Sequence, residues 1–130
     1  MTLTLETAAT QIRNAAREIG SYLRRTPTVY SYTFSESAGA QVWLKLENLQ
    51  RTGSFKLRGA LWKTLSLSPA ERARGLVAAS AGNHAQGVAL AARLLGLTAR
   101  VVMPEATALN KIRRTQGYGA EVLLHGQTWD

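Results

Sequence analysis

The chain contains no cysteine and few histidines, and both shortages exclude chemistry. Without cysteine it can form neither a disulfide framework nor a thiolate metal site, and this composition fits a reducing compartment. His84 and His125 are the only histidines. Two imidazoles without cysteine are too few ligands for a zinc site, so we predict no bound metal.

Long apolar runs are also missing. No stretch approaches the roughly 18 consecutive apolar residues from which a membrane helix is read. The first six residues, Met1 to Glu6, carry neither the basic segment nor the apolar core of a secretory signal. We therefore expect a cytoplasmic protein without a membrane partner.

Acidic residues are scarce as well, with eight against sixteen lysines and arginines, for a net charge of +8. Such a surplus raises the question of nucleic acid. The basic residues are scattered and are not interleaved with aromatic residues, which is typical of a solvated surface. We expect no nucleic-acid partner, and the loss of an acidic remainder from a longer parent chain explains the surplus more simply.

Helical and strand patterns alternate along the 130 residues, a length that suits one domain with a real core. Apolar residues recur at helical spacing from Leu5 to Ile19, and Gly20 is the expected stop. Further helices are predicted over 33–38, 56–67, 83–95 and 108–116, a helix start at Ser68–Glu71, and strands over 42–47, 76–79, 99–103 and 121–124. This order predicts an α/β fold with a largely parallel sheet and right-handed crossovers, in which strand 76–79 is buried.

The most informative run is Gly53-Ser54-Phe55-Lys56, a glycine-bearing turn that opens a predicted helix at Lys56. The positive end of a helix dipole disfavours the ammonium form of a nearby lysine. A neutral amine is a nucleophile of the kind that imine chemistry with a carbonyl cofactor needs. The alternative is structural: Gly53 and Ser54 would be a turn glycine and an N-cap, Phe55 a core residue and Lys56 an exposed lysine.

A second glycine-bearing turn, Ser80 to Gly82, opens another predicted helix. The free amides of such a helix start bind anions. Asn83 suits an N-cap by type, and His84 suits a structural role at a helix start. Gly87 lies inside the predicted helix, where glycine costs about 1 kcal/mol relative to alanine, so close packing or ligand approach is its expected reason.

Together these two runs, with Val101–Pro104 and Tyr118–Gly126, resemble the serine/threonine dehydratase family of pyridoxal-phosphate (PLP) enzymes. That family shares its fold with serine racemase and tryptophan synthase β. The resemblance covers nearly the whole chain and implies a tryptophan synthase β-like fold, a three-layer parallel-sheet sandwich. Relatives run on much further and residues 127–130 carry no stop signal, so we expect an N-terminal fragment. About 1–50 would begin the larger domain and about 51–130 would form most of the smaller one.

The resemblance also implies roles for residues of both runs. Lys56 would carry PLP and remove the substrate's α-proton, Phe55 would line the cofactor pocket, and Asn83 would hydrogen-bond the cofactor's 3-hydroxyl. The substrate carboxylate would be bound by Ser80, Ala81, Gly82, Asn83 and His84. The implied activity is an ammonia-lyase of amino-acid metabolism, turning L-threonine into 2-oxobutanoate and ammonia, and L-serine into pyruvate and ammonia. The full-length enzyme would be a homo-oligomer.

Alternatives remain within and outside this family. Serine racemases use a serine hydroxyl where Ala81 stands, so Ala81 favours dehydration over racemisation. The family's glycine-rich phosphate loop lies later in its chains and is not found here, so we expect weak or absent PLP binding and little activity from this chain alone. A non-catalytic remnant or oligomerising domain is the alternative outside catalysis.

Two further expectations concern packing. Arg58 pairs with Glu47 or contacts an anion. The aromatic residues have no stacking spacing and are core or interface residues: Tyr22, Tyr30, Tyr32, Trp43, Trp62 and Trp129.

Overall fold

The computed structural model describes residues 4–127, so the expectations for Trp129 and for the last residues of the chain lie outside the described residues. The helices are α1 (Leu5–Ile19), α2 (Tyr32–Ala38), α3 (Lys56–Leu65), α4 (Pro69–Ala73), α5 (Asn83–Leu94) and α6 (Leu109–Gly117). The strands are β1 (Thr28–Tyr30), β2 (Trp43–Lys45), β3 (Leu76–Ala79), β4 (Ala99–Met103) and β5 (Glu121–Leu124). Short 3-10 turns occupy Gly20–Tyr22 and Glu47–Leu49.

The predicted parallel sheet is present, with strand order β3-β4-β5 and both pairs parallel. The crossover helices α5 and α6 contact each other, and both pack with sheet residues in one apolar cluster, so they lie on the same face of the sheet. This is expected for two right-handed connections that run in the same direction. Strand β3 is an edge strand among the described residues, and Val77 on its open face is 76% exposed. The expectation that strand 76–79 is buried is therefore wrong, since α5 covers only one of its faces.

The strand predicted over 42–47 is shorter and belongs to a different sheet. It is β2, which pairs antiparallel with β1 through Thr28↔Lys45 and Tyr30↔Trp43. Strand β1 was not predicted, because three residues are too few to show alternation. The chain leaves β2 directly into the turn Glu47–Leu49, which leads toward Lys56.

Helix ends mostly follow their local signals. Gly39 and Gly96 adopt left-handed backbone conformations after α2 and α5, as expected for glycines that end helices. Ser68 caps α4 in a reciprocal capping box with Glu71. Helix α1 ends at Ile19 with Gly20 as its C-cap, as predicted, although Gly20 keeps a right-handed conformation and the chain continues as a 3-10 turn.

Helix α5 lies at the centre of the molecule and joins two apolar clusters. On one side, Leu57 and Leu61 of α3 pack with Ala91 and with Ile19 of α1. On the other side, the alanines of α5 pack on the sheet around Val101. Among residues 4–127 no helix combines the length and apolar character required to cross a membrane.

The aromatic residues divide into two groups. Tyr22 and Trp62 pack against the core as expected. Tyr30 contacts Tyr32 and Trp43 edge to face, with ring centroids 4.9 and 5.3 Å apart. Tyr32 and Trp43 are mostly exposed, so they are not core residues, and their edge-to-face contacts with Tyr30 contradict the expectation of no stacking. The alternative that they lie at an interface stays a prediction.

Candidate active site

Lys56 is the first residue of α3, at the end of a loop that we call the lysine loop (residues 46–55). Gly53 takes a positive φ of 72°, which makes it the turn glycine that the sequence predicts. The N-cap is Phe55, which offers no side-chain bond, so the interpretation of Ser54 as the N-cap is wrong. Ser54 is instead buried, and its hydroxyl has no partner among the described residues.

Gln50 ties the lysine loop to an earlier segment of the chain. Its side chain is almost fully buried. Its amide oxygen accepts from the backbone N–H of Arg24 at 3.0 Å and of Arg51 at 3.1 Å, and its amide nitrogen donates to the carbonyl of Arg24 at 2.9 Å. The side chain therefore bonds both backbone groups of Arg24, as a neighbouring strand would. Sequence reasoning missed this role.

Glu47 and Arg58 form the second tie, across the base of the loop. Arg58 donates to both carboxylate oxygens at 2.9 and 2.7 Å, and the Thr26 hydroxyl donates to the same carboxylate. These hydrogen bonds, that of Arg58 first, lower the pKa of Glu47 to about 2 despite the opposing effect of burial. Of the two partners predicted for Arg58, the structure shows Glu47.

A third tie comes from the far end of the fold. The Tyr118 hydroxyl, just after α6, donates to the carbonyl of Arg51 at 3.1 Å. Neighbouring Thr52 is fully buried, and its hydroxyl donates to the carbonyl of Ser54 at 3.3 Å. The loop before Lys56 is therefore fixed by contacts with residues both before and after it in the chain.

The amine of Lys56 is free of acidic partners in the described part of the chain. Lys56 is exposed, and its Nζ lies 5.1 Å from the centroid of the Phe55 ring. Phe55 is 59% exposed, so its interpretation as a core residue is wrong. An amine beside an accessible aromatic face is available to a carbonyl compound from solution.

The second loop, Ser80 to Gly82, follows the carboxyl end of β3 and is called the α5 entry loop below. Gly82 is the N-cap of α5, so Asn83 is the first helical residue and its assignment as N-cap is wrong. The Gly82 amide donates to the Ser80 hydroxyl at 3.3 Å. The amides of residues 83–85 donate to no protein group in the described range, as expected for a first turn. The amides of Asn83 and His84, which are exposed, are available to an anion, whereas Ala85 is fully buried.

A cavity of about 740 Å³ lies between α3 and the outer edge of β3. Lys56 and Phe55 line it from one side and His84 from the other, above an apolar floor that includes Ala78 and Val88. The structure thus brings three of the predicted site residues to one cavity. The other predicted residues, Ser80, Ala81, Gly82 and Asn83, lie on the adjoining entry loop and helix start but do not line it.

Gly87 connects the two motifs. A Cβ added there would lie 3.0 Å from the carbonyl carbon of Lys56 and 3.2 Å from the N of Leu57. The expectation of close packing at Gly87 is confirmed. Next to it, Gln86 is buried and its side-chain oxygen has no partner among residues 4–127, which no sequence pattern indicated.

The comparisons with known proteins agree on one family. Residues 19–130 match the family model described as pyridoxal-phosphate dependent enzyme, and the chain belongs to that family. Among curated relatives, the L-threonine ammonia-lyase of Thermotoga maritima is 52% identical over 92% of this chain and 30% of its own length. A catabolic L-threonine dehydratase of Staphylococcus aureus is 48% identical over 99% of the chain and 39% of its own. The chain therefore spans about a third of the length of these relatives.

Solved structures confirm the predicted fold class. A threonine deaminase from T.th. is 47% identical, with a TM-score of 0.78 over 92% of this chain and 37% of that one. Maize serine racemase is 33% identical, with a TM-score of 0.84 over 92% of this chain and 36% of that one. The fold is the α/β arrangement of tryptophan synthase β-like PLP enzymes.

The residues present fit part of a PLP molecule. The cofactor needs a primary amine for its aldehyde, hydrogen-bond donors for its oxygens and a surface for its ring. Lys56 would supply the amine, and Phe55 would supply an accessible aromatic face. The buried and unpartnered hydroxyl of Ser54, two residues from Lys56, is the kind of orphan group that marks functional sites. A glycine-rich turn for the phosphate is not found in the sequence.

Proposed function

We propose that this chain provides the cofactor lysine and the substrate-binding loop of a PLP-dependent ammonia-lyase that acts on L-threonine and L-serine. The observation that carries the proposal is the position of Lys56. Its amine has no acidic partner among the described residues and borders the same cavity as the start of α5. The names of the relatives, an L-threonine ammonia-lyase and a catabolic L-threonine dehydratase, support the substrate class.

Lys56 has two tasks in this proposal. Its amine would hold the cofactor through the aldehyde, and as a free amine it would take the proton from the substrate's Cα. The bound cofactor supplies an electron sink for the pair left on Cα. The β-hydroxyl leaves with a proton as one molecule of water. One molecule of water is then consumed when hydrolysis releases ammonia. The overall products are 2-oxobutanoate and ammonia from L-threonine, or pyruvate and ammonia from L-serine.

In the same proposal, the start of α5 binds and orients the substrate and the cofactor. Ser80 and the amides of the exposed residues Asn83 and His84 hold the substrate carboxylate, with Gly82 allowing close approach of the backbone. The Asn83 amide hydrogen-bonds the cofactor's 3-hydroxyl, and His84 borders the substrate side of the cavity. These assignments are supported by the exposure of Asn83 and His84 and by the positive end of the α5 dipole.

Ala81 favours elimination over racemisation in this site. A racemase needs a second proton carrier on the face of the substrate opposite the lysine, and a methyl group cannot carry a proton. The likeness to maize serine racemase keeps racemisation as the second candidate reaction. Assaying L-serine for pyruvate and for D-serine separates the two reactions.

The wider setting is proposed on the same basis. Residues to about 50 begin the larger domain and those from about 51 form most of the smaller one, in a cytoplasmic, homo-oligomeric enzyme of amino-acid metabolism. Without a phosphate turn, PLP binding by this chain alone should be weak and turnover low. A non-catalytic remnant of the same fold would show no preference for Lys56 at all.

The experiment that tests the proposal is borohydride fixation of PLP followed by peptide mapping. We expect the adduct on Lys56 in preference to Lys45, Lys63 and Lys111, and its loss in Lys56→Arg. Lys63→Arg is the matched control, since Lys63 borders the same cavity from the same helix and should leave the adduct in place. An adduct spread evenly over the four lysines contradicts the proposal and favours a non-catalytic domain.

A further inference from the structure

Gly87 approaches the backbone of Lys56 closely. A Cβ at position 87 would meet the Lys56 carbonyl carbon at 3.0 Å, the Lys56 oxygen at 3.2 Å and the Leu57 nitrogen at 3.2 Å. All three are backbone atoms, which cannot rotate aside as the end of a flexible side chain can. Any side chain at position 87 must therefore move α3 or α5.

The surroundings leave little freedom for such a movement. Leu57 and Leu61, on the side of α3 that meets α5, are fully buried, as is Ala91 one turn after Gly87. Close-packed interiors transmit a shift instead of absorbing it. A displaced α3 start would also pull on Arg58, which is held by Glu47 at 2.7 Å. The contact at Gly87 thus fixes the position of the Lys56 backbone along the axis of α5.

Gly87 is one turn after Asn83, the first residue of the same helix. The length of that turn is set by helix geometry, so the Gly87 contact defines the separation between the Lys56 backbone and the unpaired amides of residues 83–85. The Lys56 turn and the start of α5, which are far apart in the sequence, are thereby held at a fixed distance from each other.

We propose that Gly87 is a positioning residue that holds Lys56 at the working distance from the start of α5. Its importance for chemistry rests on the proposed function, in which Lys56 binds the cofactor and the α5 start binds the substrate carboxylate. Its effect on the position of the Lys56 backbone does not depend on the proposed function. Glycine is a poor helix former, and its use inside α5 is explained by this contact.

The test compares Gly87→Ala with the control Gly59→Ala. Gly59 lies on α3, one turn after Lys56, and borders the same cavity, but a Cβ there stands in open space with nothing within 4 Å. Both changes add one methyl to a helical glycine near Lys56, but only the first meets its backbone. The first readout needs no cofactor: the backbone amide NMR resonances of Lys56, Leu57 and Asn83. We expect Gly87→Ala to shift all three and Gly59→Ala to leave Asn83 in place.

The second readout is the fraction of borohydride-fixed PLP on Lys56 among the four lysines of the folded protein. The contacts at Gly87 require a shift of a few tenths of an ångström. Misplacement of a reacting group by about 1 Å can cost on the order of a hundredfold in rate, so we expect Gly87→Ala to lower fixation at Lys56 about threefold or more. Gly59→Ala should stay within about twofold of the parent. Because lysines of unfolded chains also react with PLP, the adduct is mapped on the folded fraction only, in which a general loss of stability would not redistribute the label.

Each result decides one question. Unmoved Lys56 resonances in Gly87→Ala overturn the proposal, as does fixation within twofold of the parent when the parent labels Lys56. If the parent shows no preference for Lys56, the proposed function fails and the resonances alone decide on Gly87. If Gly87→Ala does not fold, the measurements are repeated in trimethylamine N-oxide, which favours the compact state. Failure to fold there too would assign Gly87 to folding instead of positioning and overturn the proposal.

Discussion

The two loops that frame the cavity are held in opposite ways. The lysine loop is tied at its base by Glu47 and Arg58, in its middle by Gln50, and from the far end of the fold by Tyr118. The α5 entry loop has one side-chain bond of its own in the described residues, from the Gly82 amide to the Ser80 hydroxyl. One loop is fixed before any ligand arrives, and the other keeps its donors unused.

This difference matches what each loop is proposed to do. A nucleophile must be held in a defined position to react, so side chains before and after it in the chain are used to fix it. An anion-binding turn needs free amides, so internal hydrogen bonds would compete with its ligand. Removing the ties of the lysine loop should therefore cost stability, whereas changing the entry loop should cost ligand binding.

The largest loss of stability is expected from Glu47→Gln. The substitution keeps the size of the side chain but removes the charge that pairs with Arg58, and the carboxylate is only 14% exposed. Breaking this hydrogen-bonded, partly buried charge pair, in which the Arg58 side chain is 36% exposed, should lower the free energy of unfolding by about 2.5 kcal/mol. Urea denaturation of parent and variant at neutral pH measures this loss. An unchanged midpoint and slope would show that the ties of the lysine loop do not stabilise the fold.

The same variant has a defined pH dependence. The pKa of Glu47 is lowered from 4.5 to about 2 in the folded protein. A carboxyl group with a lowered folded pKa stabilises the folded state above its unfolded pKa, and this contribution is lost as the pH falls through the folded value. The difference between parent and Glu47→Gln should be complete at neutral pH and shrink from about pH 5 to about pH 2.

Glu121→Gln is the matched control for Glu47→Gln. It breaks the pair between Arg100 and Glu121, whose atoms are 2.8 Å apart but whose side chains are both about half exposed. Exposed pairs contribute about 0.5 kcal/mol or less. A loss as large as that of Glu47→Gln would mean that exposure does not separate the two pairs.

A smaller loss is expected from Gln50→Ala. It removes the amide that bonds both backbone groups of Arg24 and the N–H of Arg51, in a site where Gln50 is only 3% exposed. We expect the free energy of unfolding to fall by about 2 kcal/mol, because buried backbone groups lose their partners. Hydrogen exchange should also quicken at residues 51–53. Gln41→Ala, at an exposed position, should stay within about 0.5 kcal/mol of the parent.

The elements with strong local signals could be predicted from the sequence. Helices α1 and α5 have long apolar periodicities, and the Ser68 capping box and Gly96 are local signals of the kind that mark helix ends. Strand β1 could not be predicted, since its three residues are stabilised by pairing with β2 and not by their own pattern. The burial of β3 was overestimated because its apolar run does not reveal that it is an edge strand.

In the candidate site, too, features with local sequence signals could be predicted and features that depend on distant contacts could not. The positions of Lys56 and of the α5 start follow from glycine-bearing turns that precede helices, and such turns are visible in the sequence. The bond from Gln50 to residue 24 and that from Tyr118 to residue 51 join distant segments, which no local pattern specifies. The choice of Gly82 over Asn83 as N-cap depends on backbone angles, which residue type alone does not settle.

The smallest effect on stability is expected from Asn83→Ala, in the loosely held region. Asn83 is exposed at the first position of α5, and its side chain bonds no described residue, so its loss should change the free energy of unfolding by less than about 0.5 kcal/mol. Fixation of PLP on Lys56 should nevertheless weaken about tenfold, the equivalent of one lost hydrogen bond to the cofactor.

Asn110→Ala is the control for Asn83→Ala, because Asn110 is also an exposed asparagine in the first turn of a helix, α6, away from the cavity. It should change neither stability nor fixation. Equal fixation in Asn83→Ala and Asn110→Ala would remove Asn83 from the cofactor site. A large loss of stability in Asn83→Ala would instead show that the start of α5 is held as firmly as the lysine loop, against the contrast between the two regions.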